Sequence, residues 1–195
     1  VAADLRVSKG AFGWAGGTGV SFWVEPAEQL VSIYFVQGGT GGQLRGDVLD
    51  LMGSWVSHFR VAPAHLRVLG MNEDELAANP SATATIVHDL NADPVLPLDD
   101  QAFDAVVCCV SVDYLLRPVE VFREVRRVLR PRGPFVCTFS NRVFPTKAIR
   151  GWLAASDDGR AEIVATYFRA AGGWDEPTIQ RRTPTNHRGD PLFAV

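Results

Sequence analysis

The chain has 195 residues, of which 47% are hydrophobic and 21% charged, and its formal net charge is −3. This is ordinary globular composition, and at about 150 residues per domain the length predicts one core with an appendage. The slightly acidic balance argues against the clustered Lys and Arg that a nucleic-acid surface or an anionic membrane requires. We therefore expect neither of these partners.

The sequence also predicts a soluble, intracellular protein, either cytoplasmic or organellar. Its apolar runs stay well short of the roughly 20 residues of a membrane-spanning helix, and its first thirty residues lack the pattern of a signal peptide. Cys108, Cys109 and Cys137 lie inside apolar runs, without the spacing of a zinc site or a disulfide framework. We expect buried, reduced thiols and no metal site.

Residues 1–37 predict an antiparallel β-hairpin. Phe22 and Val24, then Ile33 and Phe35, recur at period two on either side of a turn that contains Pro26. The following segment, residues 38–46, has four glycines within six positions and predicts a linker. The main domain is therefore expected to span residues 47–195.

In that domain, short apolar runs alternate with helical or polar stretches. The runs lie at residues 48–51, 67–71, 85–88, 105–110 and 135–139, and most are near-continuous, as in parallel strands covered on both faces. An apolar stripe with spacing 3 and 4 over residues 121–129 predicts a helix that begins near Pro118 and ends before Pro131. A second helix is predicted over residues 159–171, and a final strand within residues 190–195. The alternation predicts a doubly wound, mostly parallel α/β sheet.

Polar residues follow the predicted strands at the positions where such sheets bind ligands, outside the carboxyl ends. They are Asp50 with Gly53, then Asn72, Asp89, and Ser111 with Asp113. Carboxylate and amide oxygens there can accept hydrogen bonds from ribose hydroxyls or an amino group. Each residue alone is equally well explained as a turn or helix cap. Four strand ends together favour a ligand crevice.

The same positions carry a family resemblance. Residues 48–51 (VLDL), 68–72 (VLGMN), 88–90 (HDL), 103–107 (FDAVV) and 128–133 (VLRPRG) resemble the successive motifs of class I S-adenosylmethionine-dependent methyltransferases. The resemblance covers about residues 46–195. It implies a Rossmann-like methyltransferase fold, S-adenosylmethionine as cofactor and methyl transfer to a small-molecule acceptor. Its motif positions imply that the cofactor contacts Asp50 and Gly53 (methionine part), Asn72 (ribose), Asp89 and Leu90 (adenine), and Ser111 (inner face).

The sequence departs from the family pattern at two places. The family's first loop usually reads Asp-x-Gly-x-Gly-x-Gly, whose glycines allow close approach of the backbone to the ligand. Here Met52, Ser54 and Val56 replace glycines, and Asn72 stands where a carboxylate is usual. An alternative therefore stays open: a non-catalytic domain of the same fold, acting as a binding module or a fusion remnant.

No catalytic residue is assigned from the sequence. A base is needed only if the acceptor retains its proton, and His58 and the Asp113–Tyr114 pair are the nearest candidates. His58 is better interpreted as a surface or turn histidine. Tyr114 is better interpreted as a packing aromatic with a hydrogen-bonded hydroxyl.

The amino-terminal segment resembles a different family. Residues 12–19 (FGWAGGTG) and 22–26 (FWVEP) are similar to the carboxyl-terminal hairpin of serine β-lactamase-related esterases, over about residues 12–37. Those enzymes need a Ser-x-x-Lys nucleophile pair, and this sequence contains none. A β-lactamase-type hydrolase is therefore not expected.

Overall fold

The computed structural model describes residues 46–59, 63–182 and 191–195, together with the backbone of three strands nearer the amino terminus. These three are β1 (Phe12–Ala15), β2 (Val20–Glu25) and β3 (Leu30–Phe35), which form an antiparallel sheet in that order. Phe22 pairs with Ile33 across β2 and β3, so the predicted hairpin is confirmed and β1 extends it. The predicted linker, apart from Gly46, lies outside the described residues.

A second sheet contains seven strands among the described residues: β4 (Asp47–Leu51), β5 (His65–Gly70), β6 (Ala84–Val87), β7 (Ala105–Cys109), β8 (Phe135–Ser140), β9 (Gln180–Arg181) and β10 (Leu192–Ala194). Their order is β6-β5-β4-β7-β8-β10-β9. The first five strands in that order are parallel, and β10 runs antiparallel to β8 and to β9. The predicted doubly wound, mostly parallel sheet is confirmed.

The helices of the described part are α1 (Glu73–Ala77), α2 (Pro118–Val128), α3 (Arg150–Ala154) and α4 (Asp157–Ala171). α2 and α4 lie where the sequence predicts them. α4 begins two residues earlier than expected because the Ser156 side chain caps it by accepting a hydrogen bond from the Gly159 amide. The described residues between β4 and β5, 52–59 and 63–64, form no helix, so the expected alternation fails at this crossover.

An aromatic core fixes α2 and α4 against one face of the sheet. The Phe122 ring packs edge-on against Phe135 and Phe168, with centroids 4.9 and 4.8 Å apart. Phe139 packs in the same way against the fully buried Trp152. Burial of one such side chain contributes roughly 1.5–3 kcal/mol. This packing holds β7 and β8 rigidly, and with them the carboxyl ends at which a ligand would bind.

The strand order reverses between β4 and β7. The chain leaves β4 toward β5 on one side and leaves β7 toward β8 on the other, so the connections after these two strands diverge at what is called the switch point of the sheet. This point is the natural place to look for a functional site.

Candidate functional site

The turn after β4 has a left-handed backbone conformation at Met52. Met52 has a φ of 59°, in the left-handed region that favours glycine, and glycine is the residue usual there in the resembled family. The Gly53 amide donates to the Leu69 carbonyl over 2.8 Å and so ties the turn to β5. A side chain on Gly53 would overlap Val68, and one on Gly70 would overlap the Gly53 carbonyl oxygen. Both glycines are therefore required by close packing of this turn on β5.

Asp50 is fully buried and does not face an open crevice. Its Oδ2 lies 2.8 Å from Nδ1 of His58, a residue that is itself only 6% exposed. The interpretation of His58 as a surface or turn histidine is therefore wrong. Residues 52–59, which follow β4, form no helix, and their irregular path brings His58 into contact with Asp50. The other carboxylate oxygen, Oδ1, is buried and has no hydrogen-bond partner among the residues that the structure describes.

Cys109, at the end of β7, completes a buried cluster with these two residues. One ligand-type atom from each of Asp50, His58 and Cys109 lies within 4.8 Å of the other two. Burial by itself would lower the pKa of His58, but the Asp50 carboxylate and the Cys109 thiol outweigh it and hold that pKa well above its ordinary value. Burial raises the pKa of the Cys109 thiol, although His58 opposes the shift. These shifts favour a protonated imidazole on His58 and a protonated thiol on Cys109.

A small cavity of about 130 Å³ adjoins this cluster. His58, Cys109 and Ser111 line it together with residues of the first loop and β7 exit: Met52, Ser54, Val56 and Val110. The Ser111 hydroxyl contacts the carbonyls of Met52, at 3.3 Å, and Cys109, at 3.0 Å, so it bridges the two strand exits. Val110 has a φ of 51°, which is unusual for a β-branched residue. Strained backbone therefore lies at both strand exits of the switch point.

The residues predicted to contact the ribose and the adenine follow the next two strands, β5 and β6. Asn72 is exposed and caps α1, with Oδ1 accepting from the Glu75 amide at 3.2 Å. Asp89 is exposed, and its Oδ1 accepts from the Asn91 amide at 2.9 Å. Leu90 is 2% exposed and packs in the core. The two polar residues are thus accessible to a ligand while they also serve as caps, whereas Leu90 is a core residue.

The second pair of candidate bases lies after β7. Tyr114 accepts a hydrogen bond from the Phe144 amide through its hydroxyl, at 3.1 Å, and packs near the Phe144 ring, as expected for a packing aromatic. Asp113 is 3% exposed, and no described residue forms a hydrogen bond with its Oδ2. Burial raises the pKa of Asp113 to about 6. The pKa of this carboxyl group therefore lies closer to neutral pH than that of an ordinary aspartate, but the group is buried.

A larger cavity, of about 850 Å³, lies at the amino-terminal edge of the parallel strands. Its lining includes Arg127, which pairs with Glu124 and Asp100, and Arg130, which pairs with Asp104. These ion pairs tie the loop before β7 to the end of α2. The residues that line this cavity include none of the predicted cofactor contacts, which are Asp50, Gly53, Asn72, Asp89, Leu90 and Ser111.

The structure places Asp50, Gly53 and Ser111 around the turn after β4 and the end of β7, and it adds His58 and Cys109 as neighbours that the sequence did not predict. No spacing rule could have found this cluster, because its members come from β4, from an irregular crossover and from β7. A usable signal was the acidic residue inside the apolar run 48–51. A carboxylate in a strand that is buried on both faces of its sheet needs a hydrogen-bond donor or a positive charge beside it.

Comparison with known proteins agrees with this architecture. Residues 54–137 match the family model described as a methyltransferase domain. A crystal structure of an S-adenosylmethionine-dependent methyltransferase from Mesorhizobium loti superposes with a TM-score of 0.51 at 14% identity, covering 76% of this chain and 90% of that one. The PH0226 protein from Pyrococcus horikoshii gives 0.50 at 18% identity, with 77% and 81% covered.

Among curated proteins, a search finds no match to this chain. The sheet order and these structural matches together show a Rossmann-like fold of the kind found in methyltransferases. In the part of the chain that the structure describes, no helix has both the length and the apolar character needed to cross a membrane.

Proposed function

We propose that this domain binds S-adenosylmethionine across the carboxyl ends of β4, β5, β6 and β7 and transfers its methyl group to a small-molecule acceptor inside the cell. The observation that carries the proposal is the strand order, whose switch point between β4 and β7 is bordered by the Met52–Gly53 turn and Ser111. Open α/β sheets bind their ligands at such points. The three free, buried cysteines fit a reducing compartment.

The adenosine half of the cofactor fits the residues present. Asn72 and Asp89 are exposed at neighbouring strand exits. Asp89 accepts hydrogen bonds from the Asn91 and Ala92 amides, and its carboxylate can accept further hydrogen bonds from a ligand. These two residues would hold the ribose hydroxyls and the adenine amino group.

The methionine half does not fit this conformation. Ligand pockets usually measure about 300–1,000 Å³, and the cavity at the switch point measures about 130 Å³. Met52 lines it, and Asp50 is bonded to His58. Binding of the whole cofactor therefore requires the Met52 side chain and its loop to shift.

The cofactor, when bound, would supply an electrophilic methyl group on a sulfonium. The chain's own contribution would be to hold the nucleoside and exclude water, since positioning supplies much of the rate enhancement in bimolecular reactions. We assign no catalytic residue, because Asp113 is buried and the Tyr114 hydroxyl is bonded to the backbone.

Calorimetric titration with S-adenosylmethionine and S-adenosylhomocysteine tests the proposal. We expect heat of binding and a rise in Tm, because a ligand that binds only the folded state stabilises it. Asp89→Asn keeps the turn acceptor but loses the charge, and we expect it to weaken binding by about fivefold. Asp93→Asn is the matched control, since the Asp93 side chain makes a similar local bond to the Val95 amide. Absence of heat and of thermal stabilisation at millimolar ligand would refute the proposal.

A second candidate is a non-catalytic domain of the same fold, a binding module or fusion remnant, and the small cavity favours it. Met52→Gly distinguishes the two candidates because glycine suits the φ of 59° and removes a side chain that lines the cavity. If the wild-type chain does not bind S-adenosylmethionine and the Met52→Gly variant does, the first loop of the wild-type chain is degenerate. Equal binding by both would favour the methyltransferase.

The resemblance of residues 12–37 to β-lactamase-related esterases stays a prediction. The backbone of β1, β2 and β3 forms an antiparallel sheet, which agrees with a hairpin but does not identify its family. We propose no hydrolytic activity, because the Ser-x-x-Lys pair is absent from the sequence.

A further inference from the structure

We propose that Asp50, His58 and Cys109 bind a zinc-type divalent transition metal. This departs from the sequence-based expectation of no metal site, and it does not depend on the proposed methyltransferase activity. The three side chains are buried, and one ligand-type atom of each lies within 4.8 Å of the others. The juxtaposition of one oxygen, one nitrogen and one sulfur donor is the basis of the proposal.

The fold fixes two of the three ligands on a rigid frame. β4 and β7 are adjacent parallel strands in which Asp50 pairs with Val107. Cys109 lies two residues beyond Val107, so its side chain emerges on the same face of the sheet as that of Asp50. His58 then approaches from the crossover, and its Nδ1 lies 2.8 Å from Asp50 Oδ2.

The distances suit a tetrahedral metal after small side-chain rotations. Zinc binds sulfur at about 2.3 Å and nitrogen or oxygen at about 2.0–2.2 Å, so its ligand atoms lie roughly 3–4 Å apart. The three donors lie within 4.8 Å of one another, so metal binding requires them to move closer together. Thiolate and imidazole ligands select zinc or cobalt over magnesium and calcium, which prefer oxygen.

An independent observation points to a missing ligand at this place. Asp50 Oδ1 is buried and has no hydrogen-bond partner, although Oδ2 of the same carboxylate is bonded to His58. An unsatisfied buried acceptor is unfavourable, and native proteins rarely leave one. A cation coordinated by this carboxylate would provide the partner that the described side chains and backbone do not.

The site also has room for a fourth ligand. The cavity of about 130 Å³ borders His58 and Cys109 and is lined by the hydroxyl-bearing residues Ser54 and Ser111. A cavity of this size has room for a water molecule. Three protein ligands and one water is the arrangement of zinc sites that keep an open position.

Titration of the full, chelator-treated chain with Co²⁺ tests the site. We expect one equivalent to bind with a near-ultraviolet thiolate-to-cobalt absorption band, which Zn²⁺ then abolishes. Cys109→Ser should remove the band and weaken Zn²⁺ binding at least tenfold. Cys108→Ser is the matched control, because Cys108 is equally buried but packs in the core cluster on the other face. His58→Gln should also weaken binding, whereas His88→Gln should not.

Absence of Co²⁺ and Zn²⁺ binding by the wild-type chain would overturn the proposal, as would Zn²⁺ binding that Cys109→Ser leaves undiminished. X-ray absorption of the zinc-loaded wild-type chain supplies a test that does not depend on the folding of a variant. We expect one sulfur ligand at about 2.3 Å and otherwise nitrogen or oxygen ligands. A shell with no sulfur, or with two, would exclude this set of ligands.

Discussion

At the scale of single residues, Asp113 shows how burial changes a common side chain. It follows β7 in a tight turn, and its backbone carbonyl accepts from the Ile149 amide at 3.0 Å. The side chain is thereby held under the surface, with Oδ2 lacking a partner. Burial is the main reason why its pKa rises to about 6, and Tyr114 and Arg160 offset only part of the shift.

We expect Asp113→Asn to change the pH dependence of stability. A raised carboxyl pKa stabilises the fold fully below the unfolded value of about 3.9, and this contribution is lost as the pH rises through about 6. At pH 7 the ionised group should cost on the order of 2 kcal/mol, which the variant avoids. Urea unfolding between pH 4 and 8 measures the difference.

The gap between wild type and Asp113→Asn should open between pH 4 and pH 7. Asp175→Asn is the control, because Asp175 is exposed and should show no such gap. A constant difference across the whole pH range would mean that Asp113 does not titrate as proposed.

The candidate site shows which residues a sequence can supply and which it cannot. Gly53 and Ser111 were predictable because they follow apolar runs, and Asp50 was predictable because it is an acidic residue within such a run. The location of His58 was not, because it depends on an irregular crossover with no periodicity. Leu90 was predicted to contact the adenine because of its motif position, but in the structure it packs in the core.

At the scale of elements, the two strand exits at the switch point carry backbone that is unfavourable for their residues. Met52 and Val110 both have a positive φ, and Val110 is β-branched. Such conformations persist only where the surrounding structure enforces them. Here the Val110 amide donates to the Thr138 carbonyl over 2.7 Å, and the Ser111 hydroxyl contacts the Met52 carbonyl.

Val110→Gly should therefore stabilise the protein by about 1 kcal/mol, because the relief of left-handed strain exceeds the entropic cost of glycine. Val110 is 43% exposed, so little packing is lost. Val87→Gly is the matched control: Val87 is 54% exposed in β6 with ordinary backbone, and its replacement should destabilise by about 1 kcal/mol. Chemical denaturation measures both, and destabilisation by Val110→Gly would show that its backbone is not strained.

The elements themselves were predictable to different degrees. α2 and the parallel strands follow from long apolar patterns, and Val121, Phe122, Val125 and Val128 are buried as the stripe predicts. α1 and α3 have five residues each, too few for a periodic signal. β9 has two residues and exists only through its pairing with β10, which no local pattern encodes.

At the scale of the whole molecule, the two faces of the large sheet differ. One carries the aromatic core under α2 and α4, and the other carries a smaller cluster of Val48, Val68, Val107 and their neighbours, next to Asp50. The described members of both clusters come from residues 48–195. The predicted domain boundary near Gly46 is compatible with this distribution.

We expect a chain that begins at Gly46 to fold on its own, because it retains every described residue of both clusters. Its urea unfolding should be a single cooperative transition, and its far-ultraviolet circular dichroism should retain the α/β signal. A chain that begins at Gly53 is the control, since it lacks the central strand β4 and should not fold. Aggregation or gradual unfolding of the 46–195 chain would mean that the amino-terminal segment completes the smaller cluster, and the two predicted domains would then be one folding unit.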